Sequence, residues 1–324
     1  MHPHGEPPRA DEASEPASVS EVAETGAKVM SAVGTALVGQ HEPLRLALAA
    51  VLAGGHVLIE DVPGLGKTLA ARSLAGALGL DFRRVQCTPD LLPADVTGSY
   101  IYEPARRGFV FHPSPVKTQS AFLEAMQERQ VTVEGTTRPL DRPFHVLATA
   151  NPIEYDGTYP LPEAQLDRFL LRLRFGYPGP DDETAVLQRR IGRRHEEVSV
   201  PAVIDAGALL RLQAAVEAVD VAADVARYCV DLVAATREHR SVEVGASPRG
   251  ALALVLVARA LAVLAGRSYV VPEDVKACAV PALGHRLTLR PETWATGVTG
   301  DGVVTELLES VPTPRAAPQP EPEP

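Results

Sequence analysis

Residues His56–Leu74, HVLIEDVPGLGKTLAARSL, set the strongest constraint on what this chain can fold into. Three aliphatic residues, Val57, Leu58 and Ile59, run into a Pro/Gly loop and then into an alanine-rich stretch. A buried strand feeding a glycine loop that opens a helix leaves unpaired backbone N–H groups at the helix start, and that concavity binds anions. The segment therefore reads as a phosphate-binding loop. Pro63, Gly64, Leu65 and Gly66 would wrap the phosphates, Lys67 would reach the β- and γ-phosphates, Thr68 would offer its hydroxyl to Mg²⁺, and Leu69 would carry the cradle into the helix. The full pattern G-x-x-x-x-G-K-[ST] wants glycine at position 61, where this chain has Asp61, so the strand–loop–helix context carries the weight.

A chain of 324 residues has room for about two domains and a sizeable core. Hydrophobic residues at 45% and charged residues at 22% are those of a soluble globular protein. A net charge of −10 argues against a nucleic-acid footprint, which needs a basic face. Cys87, Cys229 and Cys278 have no paired spacing and read as small buried residues of a reducing compartment. The longest apolar stretch, Ala251–Ala265, is interrupted by Arg259 and reads as a core helix, so no membrane span is expected. The opening MHPHGEPPRADEASEPAS lacks an apolar secretory region, and a cytoplasmic location is expected.

The organisation predicted is a Pro/Glu/Ser-rich disordered tail over 1–25, a nucleotide-binding α/β domain over 26–178, a helical domain over 179–311 and a Pro-rich disordered tail over 312–324. Two helices are expected between Val29 and Gly54, split near Val38-Gly39-Gln40. Strands are expected at Phe82–Gln86 and, buried, at Phe144–Thr149. Hairpins are expected over Ser99–Phe111 and around Glu134–Thr136, and a helix over Lys117–Arg129. The Tyr177-Pro178-Gly179-Pro180 turn marks the change to a helical pattern.

Three further segments fit the same picture. LATANP places Asn151 at the carboxyl end of a strand, where open α/β sheets bind ligands, though an Asn before Pro152 also simply starts a turn. LPEAQLDRFLL puts Arg168 beside Asp167 at the start of an apolar helix. ASPRG puts Arg249 in the first turn of another, where a cation opposes the helix dipole and implies a nearby anion. Four histidines, His56, His112, His145 and His285, share no ligand spacing, so no protein-bound metal is expected.

In this order, over roughly residues 29–308, these segments resemble the MoxR family of AAA+ ATPases. The resemblance is carried by VGQ (38–40), EDVPGLGKT (60–68), TPDLLPADVTG (88–98), KTQSAFLEAMQERQVT (117–132), ATANPIEYDGTYPLPEAQLDRFLLR (148–172) and GASPRG (245–250). It implies a parallel P-loop sheet with an all-helical lid, and ATP with Mg²⁺ as cofactors. It further implies that Val38, Gly39 and Gln40 lie near the adenine, that Asn151 is sensor 1, that Arg168 is an arginine finger acting on a neighbouring subunit, and that Arg249 is sensor 2, serving its own subunit's site. A finger that acts in trans implies a ring of copies of this chain, usually a hexamer. The activity implied is ATP-driven, chaperone-like remodelling of client proteins, often ones with von Willebrand factor A domains.

One element is missing. Such ATPases carry an apolar strand ending Asp-Glu, the Asp holding Mg²⁺ through water and the Glu polarising the attacking water. Here FHPSPVKTQS runs directly from Phe111 to Ser120, so a segment of roughly fifteen residues is absent between Val116 and Lys117. Among the acids between Thr68 and Asn151, Glu134 comes closest to a substitute, after Val131-Thr132-Val133. Glu60 and Asp61 border the loop, but a carboxylate beside triphosphate is repelled. A strand lost from inside the sheet would leave its neighbours about 10 Å apart, twice the usual spacing, unless they re-pair. The alternative function is therefore a non-hydrolysing nucleotide-binding scaffold subunit with the same fold.

Overall fold

The computed structural model describes residues 15–85, 99–103, 108–112, 119–133, 136–151, 163–195 and 198–314. The segments 88–98 and 113–118, Pro152 to Pro162, Glu134, Cys87 and the outer parts of both tails lie outside the described residues.

Helix α1 spans Val19–Gly34 and begins earlier than its composition suggests. The Ser18 hydroxyl accepts from the Glu21 N–H at 3.1 Å, capping the first turn, and Val22, Val29 and Val33 are buried along one face. The expectation of a disordered tail to residue 25 is corrected by this: a Ser cap and three valines at helical spacing outweigh the Glu-rich surroundings. A turn at 35–40 leads to α2, His41–Leu52, then to β1, Val57–Glu60, and α3, Lys67–Ala77. The region at 81–85 is irregular rather than a strand. Strands β2 (Ser99–Glu103) and β3 (Gly108–His112) form the expected antiparallel hairpin. Helix α4, Gln119–Glu128, is followed by the small hairpin of β4 (Gln130–Val133) and β5 (Thr136–Pro139).

Strands β6 (Leu147–Ala150) and β7 (Leu171–Leu173) flank β1, and both pair with it in parallel. The register is continuous, Val57 opposite Leu147 on one side and opposite Leu171 on the other. β1 thus has a hydrogen-bonded neighbour on each flank, and the segments on either side of the expected gap, 86–98 and 113–118, lie outside the described residues. The two flanks differ in burial. Leu171 and Leu173 of β7 are buried, whereas Leu147, Ala148 and Ala150 of β6 are half-buried and Thr149 is exposed, contrary to the buried strand expected there.

The remainder is helical: α6 (Pro180–Arg193), α7 (Ala206–Glu217), α8 (Ala223–Glu238), α9 (Pro248–Leu264), α10 (Pro272–Leu283) and α11 (Gly300–Ser310) follow the single-turn α5 (Glu163–Leu166). A short ribbon joins β8 (Val242–Val244) to β9 (Thr288–Leu289). The long apolar α9 packs against α1, α2, α7, α8 and α10. One hydrophobic core therefore takes in Val22, Leu48, Ile59 and Leu171 together with Leu209, Leu232, Leu254 and Leu283. The boundary at 178–179 divides topology and not packing. Charge adds a second tie: Arg172 and Arg174 of the β7 segment each reach both Glu60, at 3.3 Å, and Asp301 of α11, at 2.6 and 3.0 Å. Among the described residues no helix is long and apolar enough to cross a membrane.

Candidate functional site

The loop after β1 is shaped by its glycines. Gly64 and Gly66 have φ of +88° and +77°, left-handed values that a side chain would strain, and Gly66 is the N-cap of α3. No acidic side chain occupies the first turn of α3, so its N–H groups point into an open cavity of about 350 Å³. That cavity is lined by Pro63, Gly64, Gly66, Lys67, Thr68 and Leu69 from the loop side and by Thr149, Ala150 and Asn151 from the end of β6. Asn151 thus lines the same cavity as Lys67 and Thr68. Leu65 belongs to the same loop without lining the cavity. Among the described residues no carboxylate lines it.

Asp61, the departure from the glycine pattern, has a structural employment. Its Oδ2 accepts from the backbone N–H groups of Phe175 (2.8 Å) and Gly176 (2.7 Å), and its Oδ1 from Val62 (2.8 Å). Burial opposes the charged form, but the N–H groups of Gly176, Val62 and Phe175, with the Lys67 ammonium nearby, hold this carboxyl below its usual range. Asp61 therefore locks the root of the loop to the chain leaving β7. The Lys67 ammonium donates to the carbonyls of Asp61 and of Val62, the latter at 2.9 Å. Glu60 faces the arginines of β7 and not the cavity.

Val38, Gly39 and Gln40 flank this loop without lining the cavity. Gly39 has φ of +75° and a Cβ there would collide with the Asp182 side chain, while Leu37 lies against Gly66. The buried Gln40 donates to the Gly176 carbonyl at 3.4 Å, so Gln40 and Asp61 converge on one residue.

Arg168 and Arg249 are elsewhere. They line a second cavity, of about 250 Å³, with Arg129, Arg286, Asp167 and the Gly54-Gly55-His56 entry to β1. The first cavity opens at the carboxyl end of β1 and the second at its amino end, a strand of about 13 Å apart. Arg168 follows the end of α5 instead of opening a helix, in the turn before β7, and its Nε donates to Gln127 at 3.2 Å. Arg249 does sit in the first turn of α9, and the anion its position called for is Asp167, at 3.6 Å. Arg249 therefore lies at the other end of β1 from its own subunit's loop. Arg249 shares a cavity with Arg168, and Lys67 lines the other one.

The residue that sequence reading missed is Arg286. Its side chain is 3% exposed; it donates to the Asp167 carboxylate at 3.0 Å and to the carbonyls of Ala282, of Phe169 at 2.8 Å and of Leu170 at 3.4 Å. Burial pulls its pKa down, and Asp167 opposes that fall. Arg286 staples the turn bearing Arg168 to the helical part. The only signal was a charge inside the apolar run PALGHRLTL. Beside the same cavity, His56 bridges two elements, its Nδ1 accepting from the Val146 N–H at 3.0 Å and its Nε2–H donating to the Met126 carbonyl at 3.1 Å. Burial drives its pKa down to about 4, so the ring is neutral. Among the described residues no three His, Cys, Asp or Glu side chains could hold a metal.

Comparison with known proteins agrees with this geometry. Residues 56–171 match the family "ATPase family associated with various cellular activities (AAA)", and residues 234–307 match the AAA lid domain. The chaperone MoxR1 of Mycobacterium tuberculosis is 39% identical over 309 residues, covering 87% of this chain and 81% of MoxR1. The chain belongs to the MoxR family of AAA+ ATPases. A crystal structure of a candidate ATPase from Cytophaga hutchinsonii superposes with a TM-score of 0.84 at 36% identity, over 92% of this chain and 97% of that one. The uncharacterised protein YeaC of Bacillus subtilis is 44% identical over 302 residues, which is 94% of YeaC but 89% of this chain. Since 89% of 324 is about 288, about 14 of the aligned residues of YeaC have no counterpart here.

Proposed function

We propose that this MoxR-type AAA+ protein binds ATP at the loop cavity and belongs to a ring, usually a hexamer, that remodels or matures client proteins in the cytoplasm, including clients with von Willebrand factor A domains. The observation that carries the reading is the cavity itself: glycines in left-handed conformation, a helix start with no acid of its own, and Lys67, Thr68, Thr149 and Asn151 around a single opening. That donor set fits a triphosphate. The N–H groups of α3 and Lys67 would hold phosphate oxygens, Thr68 would give one ligand to the nucleotide's Mg²⁺, and Asn151 would orient water at the γ-phosphate. Bound Mg²⁺ supplies charge neutralisation across the β- and γ-phosphates. Val38, Gly39 and Gln40, against the loop's flank, fit the adenine side.

The separation of the two cavities supports action in trans. Arg168 and Arg249, an expected finger and sensor, face away from their own loop, and a cleft lined by four arginines and one aspartate attracts an anion from outside. A neighbour's triphosphate is such an anion. The second reading, a non-hydrolysing nucleotide-binding scaffold, has its own observation: among the described residues no carboxylate lines the cavity, and a hydrolysing site needs a base there.

Calorimetry on Lys67→Ala tests the site. Removing the one cation in the cavity lining should weaken ATP at least tenfold, about 1.4 kcal/mol. Equal affinity in variant and parent would sink the nucleotide reading. Phosphate release by the parent separates the hydrolysing reading from the scaffold reading.

A further inference from the structure

Helix α6 is out of keeping with the rest of the molecule. It runs 14 residues without burying one of them, yet it is not polar all round. Leu187 is 63% exposed, Ile191 73% and Val186 46%, with Tyr177 at 77% just before the helix. Glu183, Leu187 and Ile191 recur every four residues and so share one face. Three acids, Asp181, Asp182 and Glu183, fill the first turn. That turn sits beside the loop cavity, because Asp182 lies against Gly39 and Arg189 donates to the Gly34 carbonyl at 2.7 Å.

The opposite end of the sheet carries a matching surface. On α9, Arg249, Leu252 and Leu256 share a face at spacings of three and four, and all three line the arginine-rich cavity. Leu252 is 62% exposed although it sits near the start of a long helix that runs through the core. One face thus reads acid–apolar–apolar and the other base–apolar–apolar.

We infer that α6 of one copy docks against the Arg249–Leu252–Leu256 face of α9 on the next copy, Glu183 toward Arg249 and Leu187 with Ile191 over Leu252. The occupant is a second copy of this chain because the two surfaces complement each other in charge and in apolar spacing, and lie on different sides of one molecule. Such a heterologous contact repeats head to tail and closes into a ring when the rotation permits. It also brings the arginine cavity of one copy to the loop cavity of the next. The inference rests on the proposed ring and names the surface that builds it.

Sedimentation velocity with ATP and Mg²⁺ tests it with two variants, Leu187→Asp/Ile191→Asp on α6 and Leu252→Asp on α9. These sites are exposed, so both should melt like the parent, and the α6 variant, whose residues line neither cavity, should still bind ATP by calorimetry. That readout keeps a failure of the nucleotide site distinct from a failure of the interface. The parent should form species larger than dimers, and each variant alone should stay monomeric. An equimolar mixture should give a one-to-one dimer and nothing larger, since each pair retains a single intact contact. A parent that is monomeric throughout, a variant that assembles like the parent, or a mixture that stays monomeric would each overturn the docking. A charge swap gives a check independent of the apolar changes. Glu183→Arg and Arg249→Glu should each weaken assembly at least tenfold and the double variant should regain it; a double variant no better than either single one also overturns the inference.

Discussion

The two flanks of β1 make the informative comparison. On the β7 flank, Leu171 and Leu173 are buried in the common core, Arg172 and Arg174 are locked between Glu60 and Asp301, and Asp61 takes three backbone N–H groups. On the β6 flank, the strand is half-exposed and its apolar residues Ala148 and Ala150 join only a satellite cluster around Leu58, Met126 and Phe169. A parallel strand is normally covered on both faces and both edges. Among the described residues the sheet is thus well covered on the β7 side and half-exposed on the β6 side, which bears Asn151. The loop itself is fastened from the β7 side, through Asp61.

The largest expected effect comes from restoring the acidic strand. Inserting an apolar strand that ends Asp-Glu between Val116 and Lys117 should raise the melting temperature and lift ATP hydrolysis at least about a hundredfold, since a placed base contributes that much or more. If the chain as it stands turns ATP over at the rate of the repaired one, another acid is serving as base and the contrast between flanks has no chemical meaning.

Acid sensitivity of the β6 flank comes next. His56 holds Val146 at the start of β6 as a neutral ring, with a folded pKa of about 4 below an unfolded value near 6.5. A depressed folded pKa contributes stability that is fully present above the unfolded value and is lost as pH falls toward the folded one. Between pH 7 and 4 the parent should lose about 3 kcal/mol more than His56→Gln, read by urea denaturation. Parallel losses in the two proteins would show that the ring is not what fastens this edge.

The smallest effect should come from the β7 flank. Asp61→Ala removes a charged acceptor from three backbone donors and should cost about 2 kcal/mol of stability, a partly exposed group being screened by water. ATP affinity should fall less than in Lys67→Ala. Because the folded carboxyl has a lowered pKa, the stability difference from the parent should be largest above the ordinary carboxylate range and shrink as pH falls below it. A deficit that persists unchanged at low pH would mean that Asp61 acts by shape and not by charge.

The strand–loop–helix at 56–74 was legible because each residue type there answers a local demand: aliphatics for a buried strand, glycine for left-handed turns, lysine and threonine for phosphate. The hairpins at Ser99–His112 and Gln130–Pro139 were legible from alternation and turn residues. What escaped was decided at a distance. Arg286 acquires its meaning from a carboxylate 119 residues away, and Asp61 from the chain leaving β7. The first turns of α1 were hidden by composition, since acidic and small residues mask three valines that only a core across the chain makes decisive. The location of Arg249 could not be read from its helix start, because helix geometry fixes its turn and not the end of the sheet that the helix meets.

Lys67 at rest is not a vacant charge, for its ammonium is already shared between two carbonyls of its own loop. Any visitor must first dislodge it from these hosts. A lone inorganic phosphate returns little for that displacement, whereas a triphosphate chain offers several anionic oxygens to the ammonium and to the amides of α3 at once. On the proposed nucleotide reading, the number of anionic oxygens a ligand brings to the loop thus decides whether it displaces the ammonium from these carbonyls.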